Sequence, residues 1–196
     1  MSNLVICGLD ECGRGSLAGP LVAAAVILRK KENFIKDCPV PIRDSKKLTP
    51  LARTKLVEFL QDKPIIYKIA SIAVDKINDR GISWANKQIF LTLVNQIKAD
   101  RYIIDGNLKF EKENIVSQVK ADNDVLEVSL ASNIAKVYRD NLMAKLGEDY
   151  PQYFWHQNAG YGTLAHRQAI LEHGPCLHHR NLFIRKLIQR VYALQP

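Results

Sequence analysis

Continuous apolar runs alternate with helix-periodic stretches along this chain of 196 residues. Residues 4–9 read as a short apolar strand. Leu21–Leu28 (LVAAAVIL) is a second run, punctuated from the first by Gly19-Pro20. Its apolarity is unbroken rather than alternating, which predicts a strand covered on both faces. Residues 29–43 are polar with prolines nearby and read as a surface loop. Thr49-Pro50 is a helix start, with Thr as N-cap and Pro at the first helical position. That helix is expected to reach Asp62, followed by a third strand over Ile65–Val74. Ser83–Lys98 carries Ile89, Leu93 and Ile97 at helical spacing. Arg101–Asp105 (RYIID) is a fourth strand ended by Gly106, and Asn114–Val119 a weak fifth. Val125–Leu146 reads as a long helix with Ala131, Ile134, Ala135, Tyr138 and Leu142 on one side. Residues 147–162 are irregular and aromatic. Two shorter helices, near 163–173 and 181–194, flank Gly174-Pro175. This order predicts an α/β fold with a helical extension: a core over 1–146 and a C-terminal helical part over 147–196, one domain overall.

Composition adds a class. With 47% hydrophobic and 24% charged residues the chain has an ordinary globular make-up. A net charge of +8 points to nucleic acid as partner, and less strongly to an anionic membrane surface. No run of 18 apolar residues predicts a transmembrane helix. The first residues lack a basic stretch before an apolar one, so no signal peptide is expected. Cys7, Cys12, Cys38 and Cys176 form no C-x-x-C pair, which reads as a reduced, cytoplasmic protein. The five histidines cluster late without a cysteine ladder, which weighs against structural zinc.

The candidate chemistry lies at strand ends. The first strand closes on Asp10-Glu11 and runs at once into Gly13-Arg14-Gly15. The fourth strand ends in Asp105, and Asp122 follows the fifth. Ligands of open α/β sheets gather beyond the carboxyl ends of strands. Four carboxylates meeting there would repel one another unless a hard cation relieved them. Mg²⁺ or Mn²⁺ fits, and two such ions serve phosphodiester cleavage. Acids at strand ends are also common as plain turn residues. On spacing alone Asp124, which also suits a helix N-cap, has a claim equal to that of Asp122.

Five motifs, in order, resemble type 2 ribonuclease H, the ribonuclease HII family. They are Gly8-Leu9-Asp10-Glu11-Cys12-Gly13-Arg14-Gly15 with Leu17-Ala18-Gly19-Pro20; Asp44-Ser45-Lys46-Lys47-Leu48; Ile104-Asp105-Gly106-Asn107; Lys120-Ala121-Asp122 with Ala131-Ser132-Asn133-Ile134-Ala135-Lys136-Val137-Tyr138-Arg139-Asp140; and Gly160-Tyr161-Gly162-Thr163 with His166. The resemblance implies an RNase H-like fold, a five-stranded mixed sheet flanked by helices with a C-terminal helical extension. It implies that Asp10, Glu11, Asp105 and Asp122 bind the catalytic metals, two Mg²⁺ or Mn²⁺ ions, and it chooses Asp122 over Asp124. It implies endonucleolytic hydrolysis of RNA in RNA–DNA hybrids, and incision beside single ribonucleotides in duplex DNA, leaving 5′-phosphate and 3′-hydroxyl ends. Gly13, Arg14 and Gly15 would meet the ribose 2′-hydroxyl, Tyr161 the sugar on the DNA side of the junction, and Lys46 and Lys47 the phosphates. A monomer in the cytoplasm, with no membrane partner, is expected. Two departures stand out: Asn133 replaces the usual aliphatic residue, and His179-Arg180-Asn181-Leu182-Phe183 follows the family's C-terminal pattern only partly.

Overall fold

The structure is a computed structural model that describes residues 4–29, 31–42 and 45–192. Asp44 of the second motif lies outside the described residues. The chain forms two compact units, one of Met1–Cys12, Val22–Ala70 and Lys87–Val137, the other of Gly13–Leu21, Ser71–Asn86 and Tyr138–Pro196.

The first unit carries the sheet. Strands β1 (Ile6–Cys12), β2 (Leu21–Leu28), β3 (Ile65–Ile72), β4 (Arg101–Asp105) and β5 (Ile115–Gln118) lie in the order β3-β2-β1-β4-β5. β1 is antiparallel to β2, with Leu9 opposite Ala25. β1 is parallel to β4, with Leu9 opposite Ile104, and β4 is parallel to β5, with Asp105 opposite Gln118. The sheet is therefore mixed, and its three parallel strands end at one edge. All eight residues of β2 are buried, as its unbroken apolarity requires. Val22, Ala24, Val26 and Leu28 pack with Leu56 and Leu60 of helix α2 (Pro50–Leu60) and with Leu130, Ala131, Ile134 and Ala135 of the long helix α6 (Leu126–Asp149). Thr49 caps α2 by accepting a hydrogen bond from Ala52 N at 3.2 Å. Gly8 lets α6 meet the sheet: a Cβ there would lie 2.2 Å from Val128 N and 2.3 Å from Glu127 C. Any larger residue would push the first turn of α6 off β1.

Several elements differ from the sequence expectations. Residues 29–43 are not all loop: Lys31–Asp37 is a helix, α1. Phe34 is buried and its ring lies 5.5 Å from the Phe59 ring, and a helix of seven residues is too short to write a readable period. β3 stops at Ile72, and Val74–Arg80 is a helix, α3, held by buried Val74 and Ile77. Gly81, at φ 83°, separates it from α4 (Ile82–Gln96). Asp122 lies in a short helix, α5 (Ala121–Asp124), which Asp124 ends, so Asp124 is no N-cap of α6.

The second unit is helical around Ala18, Met143, Tyr153, Trp155, Ala169, Ile170 and Ile184. It holds α3, the end of α6 from Tyr138, a short helix α7 (Trp155–Asn158), α8 (Leu164–His173) and α9 (Asn181–Tyr192). Tyr138 is not on the inward side of α6: it is 45% exposed, and Arg139 and Met143 are the fully buried residues there. Among the described residues no helix is long and apolar enough to cross a membrane.

Candidate active site

The parallel pairing of β1 with β4 sets Asp10 beside Asp105 at the carboxyl edge of the sheet. After β5 the backbone turns through Lys120, at φ 62°, into α5, which brings Asp122 to the same edge. Carboxylate oxygens of Asp10, Asp105 and Asp122 then all lie within 4.8 Å of one another.

Neighbouring groups hold these carboxylates in place. Asp10 Oδ1 accepts the Glu11 N–H at 2.7 Å, and Asp10 also hydrogen-bonds the Ser132 side chain of α6. Ser132 Oγ in turn lies 2.9 Å from Ser45 Oγ. Asp105 Oδ1 accepts the Ala121 N–H at 2.8 Å, which ties β4 to the start of α5. Asp122 Oδ1 accepts from Asn123 Nδ2 at 3.0 Å.

Asp10 and Asp122 are each only 6% exposed. Burial raises the Asp10 pKa well above the ordinary carboxylate value, and the charges of Glu11 and Asp105 raise it further. The Ser132 and Glu11 N–H hydrogen bonds oppose this without reversing it. A site of this kind favours an added positive charge. Its donors are all carboxylate oxygens, the type that Mg²⁺ and Mn²⁺ take, so the residues present fit a hard divalent cation.

Glu11 is not in the three-acid group. It follows Asp10 on a strand, where successive side chains point to opposite faces. Lys46 and Lys47 are exposed in a short 3₁₀ turn and line a cleft of about 480 Å³ with Asp105, Lys120, Asp122, Asn123 and Asp124. Lys47 Nζ donates to Asn123 Oδ1. The sequence placed these lysines near phosphate by resemblance, and the fold sets them at the mouth of the acidic cleft.

Gly13, Arg14, Gly15 and Tyr161 are in the helical unit. Gly13 has φ 91°, and its carbonyl accepts from Ser16 N at 3.3 Å and Ser16 Oγ at 2.9 Å. A Cβ on Gly13 would lie 2.0 Å from Arg139 Nε, so both conformation and space require glycine. Gly15 faces open space, and Arg14 is exposed. Behind this loop Arg139, fully buried, donates to Pro20 O, Ala159 O, Ala18 O and Ser16 Oγ at 2.8–3.0 Å. Its guanidinium carbon is 5.4 Å from the centre of the Tyr161 ring. Arg180, also buried, donates to Gly19 O and Arg14 O.

The two arginines are the supports that sequence reasoning missed. Each stood in a recognised motif, but a lone cation reads as solvated surface unless its carbonyl partners, distant in sequence, are known. The departures are settled as well. Asn133, fully buried, donates to Ser129 O one turn back at 2.8 Å. His179 and Arg180 are packed inside rather than offered to nucleic acid.

Comparison with known proteins agrees. The family model for Ribonuclease HII matches residues 7–187. The chain is 41% identical over 183 residues to the ribonuclease HII of Rickettsia typhi, covering 92% of each. It is 39% identical over 193 residues to that of Clostridium acetobutylicum, covering 95% of this chain and 74% of the relative. Its fold is similar to the crystal structure of ribonuclease H2 from Pyrococcus horikoshii, with a TM-score of 0.78, 25% identity, and 96% and 99% of the two chains covered. The five-stranded mixed sheet and C-terminal helices are thus those of the RNase H-like fold, and the chain belongs to the ribonuclease HII family, endonucleolytic hydrolases that act on RNA–DNA hybrids.

Proposed function

We propose that this ribonuclease H also incises duplex DNA beside single embedded ribonucleotides and leaves 5′-phosphate and 3′-hydroxyl ends. The observation that carries the reading is the convergence of Asp10, Asp105 and Asp122 oxygens within 4.8 Å at the carboxyl edge of the sheet. These three residues would hold Mg²⁺ or Mn²⁺, two ions in the reacting complex. Glu11 lies outside that three-oxygen group, but its charge raises the Asp10 pKa, and it would serve as the fourth acid once metal and substrate are bound. Bound there, the ions supply Lewis-acid polarisation of the phosphodiester and an acidified water.

The protein's own groups supply orientation. Ser132 and the Glu11 amide hold Asp10, and the Ala121 amide holds Asp105. Lys46 and Lys47 take phosphate charge at the cleft mouth, which adds affinity without sequence preference. The 2′-hydroxyl that separates RNA from DNA both donates and accepts. The backbone of Gly13-Arg14-Gly15, open at Gly15, can answer it. Tyr161, with the Arg139 cation against its ring, meets the sugar on the DNA side of the junction. The enzyme works as a cytoplasmic monomer.

The deciding experiment is digestion of a DNA duplex carrying one ribonucleotide, beside an all-DNA duplex, with Mg²⁺, Mn²⁺ or EDTA. A cut mapped next to the ribonucleotide, with the stated ends and only when metal is present, is expected. Equal cutting of the all-DNA duplex, or activity in EDTA, would sink the proposal.

A further inference from the structure

A directed chain of hydrogen bonds runs through the helical unit and ends on the backbone of Tyr161. His166 stands in the first turn of α8, after the Thr163 cap, and is fully buried. Its Nδ1 lies 2.9 Å from Tyr161 O. Its Nε2 receives the Trp155 indole N–H at 3.1 Å and lies 3.2 Å from His179 Nε2. His179, 1% exposed, receives the Cys176 amide N–H on Nδ1 at 3.0 Å.

The donors fix the tautomers. An indole N–H and an amide N–H can only donate, and a neutral imidazole has one donor and one acceptor nitrogen. His179 Nδ1 must therefore accept, which places its proton on Nε2, aimed at His166. His166 Nε2 accepts from both Trp155 and His179, which places the His166 proton on Nδ1, aimed at Tyr161 O. Each imidazole nitrogen has a partner in only one direction. Burial lowers both histidine pKa values, that of His179 to about 4, so the neutral forms persist at working pH.

The end of the chain is informative. Tyr161 sits between Gly160, at φ 77°, and Gly162. Its N–H donates to Asn158 O at 2.9 Å, and its carbonyl accepts from Thr163 N at 2.8 Å as well as from His166. Its ring lies 5.4 Å from the Arg139 guanidinium carbon. His166 is thus a fully buried side chain that grips the Tyr161 carbonyl from the core.

We propose that His166, kept in its Nδ1-protonated tautomer by Trp155 and His179, is a positioning residue that sets Tyr161 for ribonucleotide–DNA junctions. The proposal deepens the junction reading of Tyr161 and rests on it. His166 touches no substrate and exchanges no proton in the reaction. It acts on selectivity between substrates, through the carbonyl it holds.

Two substitutions separate positioning from packing. In His166→Asn the amide nitrogen stands near the place of Nδ1 and can still donate to Tyr161 O, while the indole partner is lost. In His166→Gln the longer side chain can offer an oxygen to Trp155 and His179, but its donor to Tyr161 O is gone. Incision at a lone ribonucleotide and cleavage of a long hybrid are measured for each, with melting temperature. For His166→Gln a near-native melting temperature and about tenfold loss at the lone ribonucleotide, with under threefold loss on hybrid, are expected. His166→Asn should melt lower yet keep the native ratio of the two activities. In a Tyr161→Ala background, His166→Gln should change that ratio by less than twofold.

Ratio changes that follow melting temperature in both variants would overturn the proposal, as would a full tenfold effect of His166→Gln without Tyr161. Long-range ¹⁵N correlation spectra of the wild type test the tautomers without any activity. A proton on Nε2 of His166 would refute the positioning role and leave the reading of Tyr161 untouched. If Tyr161→Ala itself leaves the ratio unchanged, the junction reading fails, and the positioning role falls with it even where the expected tautomers are seen.

Discussion

The molecule gathers titratable side chains in two places, and builds them in opposite ways. At the sheet edge Asp10, Asp105 and Asp122 bring like charges within 4.8 Å of one another. Around Tyr153 and Trp155, His166 and His179 are buried as neutral rings whose nitrogens are matched to donors and acceptors. Acid acts on the two with opposite signs. The raised pKa of Asp10 means that the folded, metal-free protein binds a proton that the unfolded chain releases, so this contribution to stability is lost as pH rises. The lowered pKa values of the histidines mean that the unfolded chain takes protons first, so their contribution is lost as pH falls. The acidic group calls for a cation from outside. The histidine group is complete as folded, and what it offers is rigidity.

The largest expected effect comes from removing a charge at the first of these places. Asp10→Asn should lower cleavage by about 10³-fold or more, since transition-state stabilisation by a bound cation is worth several kcal/mol and each 1.4 kcal/mol is tenfold. The same variant should melt higher without metal, by about 2–4 °C for each kcal/mol of repulsion and desolvation removed. Steady-state cleavage and calorimetry in EDTA check the two halves. Native turnover, or a lower melting temperature in EDTA, would contradict the account of Asp10 as a strained metal-free carboxylate.

Next comes the acid limb of stability. His179 moves from about 6.5 unfolded to about 4 folded, so its share of stability is complete above pH 6.5 and is lost as pH falls toward 4. At 1.36 kcal/mol per pKa unit this is about 3 kcal/mol. Urea denaturation from pH 7.5 to 4.5 should show it, and His179→Gln should flatten the slope by up to one proton. An unchanged slope in that variant would assign the acid sensitivity elsewhere.

The comparison also explains what could be read from the sequence. The acidic group was legible because Asp10 and Asp105 end predicted strands and Asp122 follows another, and ligands of open α/β sheets gather beyond the carboxyl ends of strands. β2 was legible because covering both faces writes an unbroken apolar run. α1 and α3 were hidden because each is only seven residues long, too short for its period to be read. Arg139 was hidden for another reason. The buried stripe of α6 runs on from Ala131 and Ala135 through Arg139 to Met143, every fourth residue, and a search for apolar side chains steps aside to Tyr138. The stripe accepts a cation because carbonyls of Ala18, Pro20 and Ala159 converge on it, and no local pattern records the first two, more than a hundred residues upstream. The choice of Asp122 over Asp124 likewise rested on family likeness; an oxygen of Asp122 lies within 4.8 Å of those of Asp10 and Asp105.

A smaller effect should separate substrates rather than abolish activity. Tyr161→Ala removes the ring that Arg139 backs, and base or sugar stacking on an aromatic is worth about 1–3 kcal/mol. Incision at a lone ribonucleotide should fall about tenfold or more, while cleavage within a long hybrid falls less. Equal losses on both would place Tyr161 in general packing.

The smallest expected effect belongs to the lysines at the cleft mouth. Lys46 and Lys47 are exposed, and ionic contacts made in water are weak one by one. Each phosphate contact nevertheless adds close to one unit to the salt dependence of binding, through released counterions. Replacing both by Ala should weaken hybrid binding only a few fold at about 0.1 M salt, and lower the slope of log K against log salt by about 2. The loss should be uniform across hybrid and single-ribonucleotide substrates, because phosphate contacts carry no information about the sugar. A selective loss on one substrate would make these lysines readers of the junction, a part here given to Gly13-Arg14-Gly15 and Tyr161. An unchanged slope would leave Lys47 with only its hydrogen bond to Asn123, a support for the loop beside Asp122.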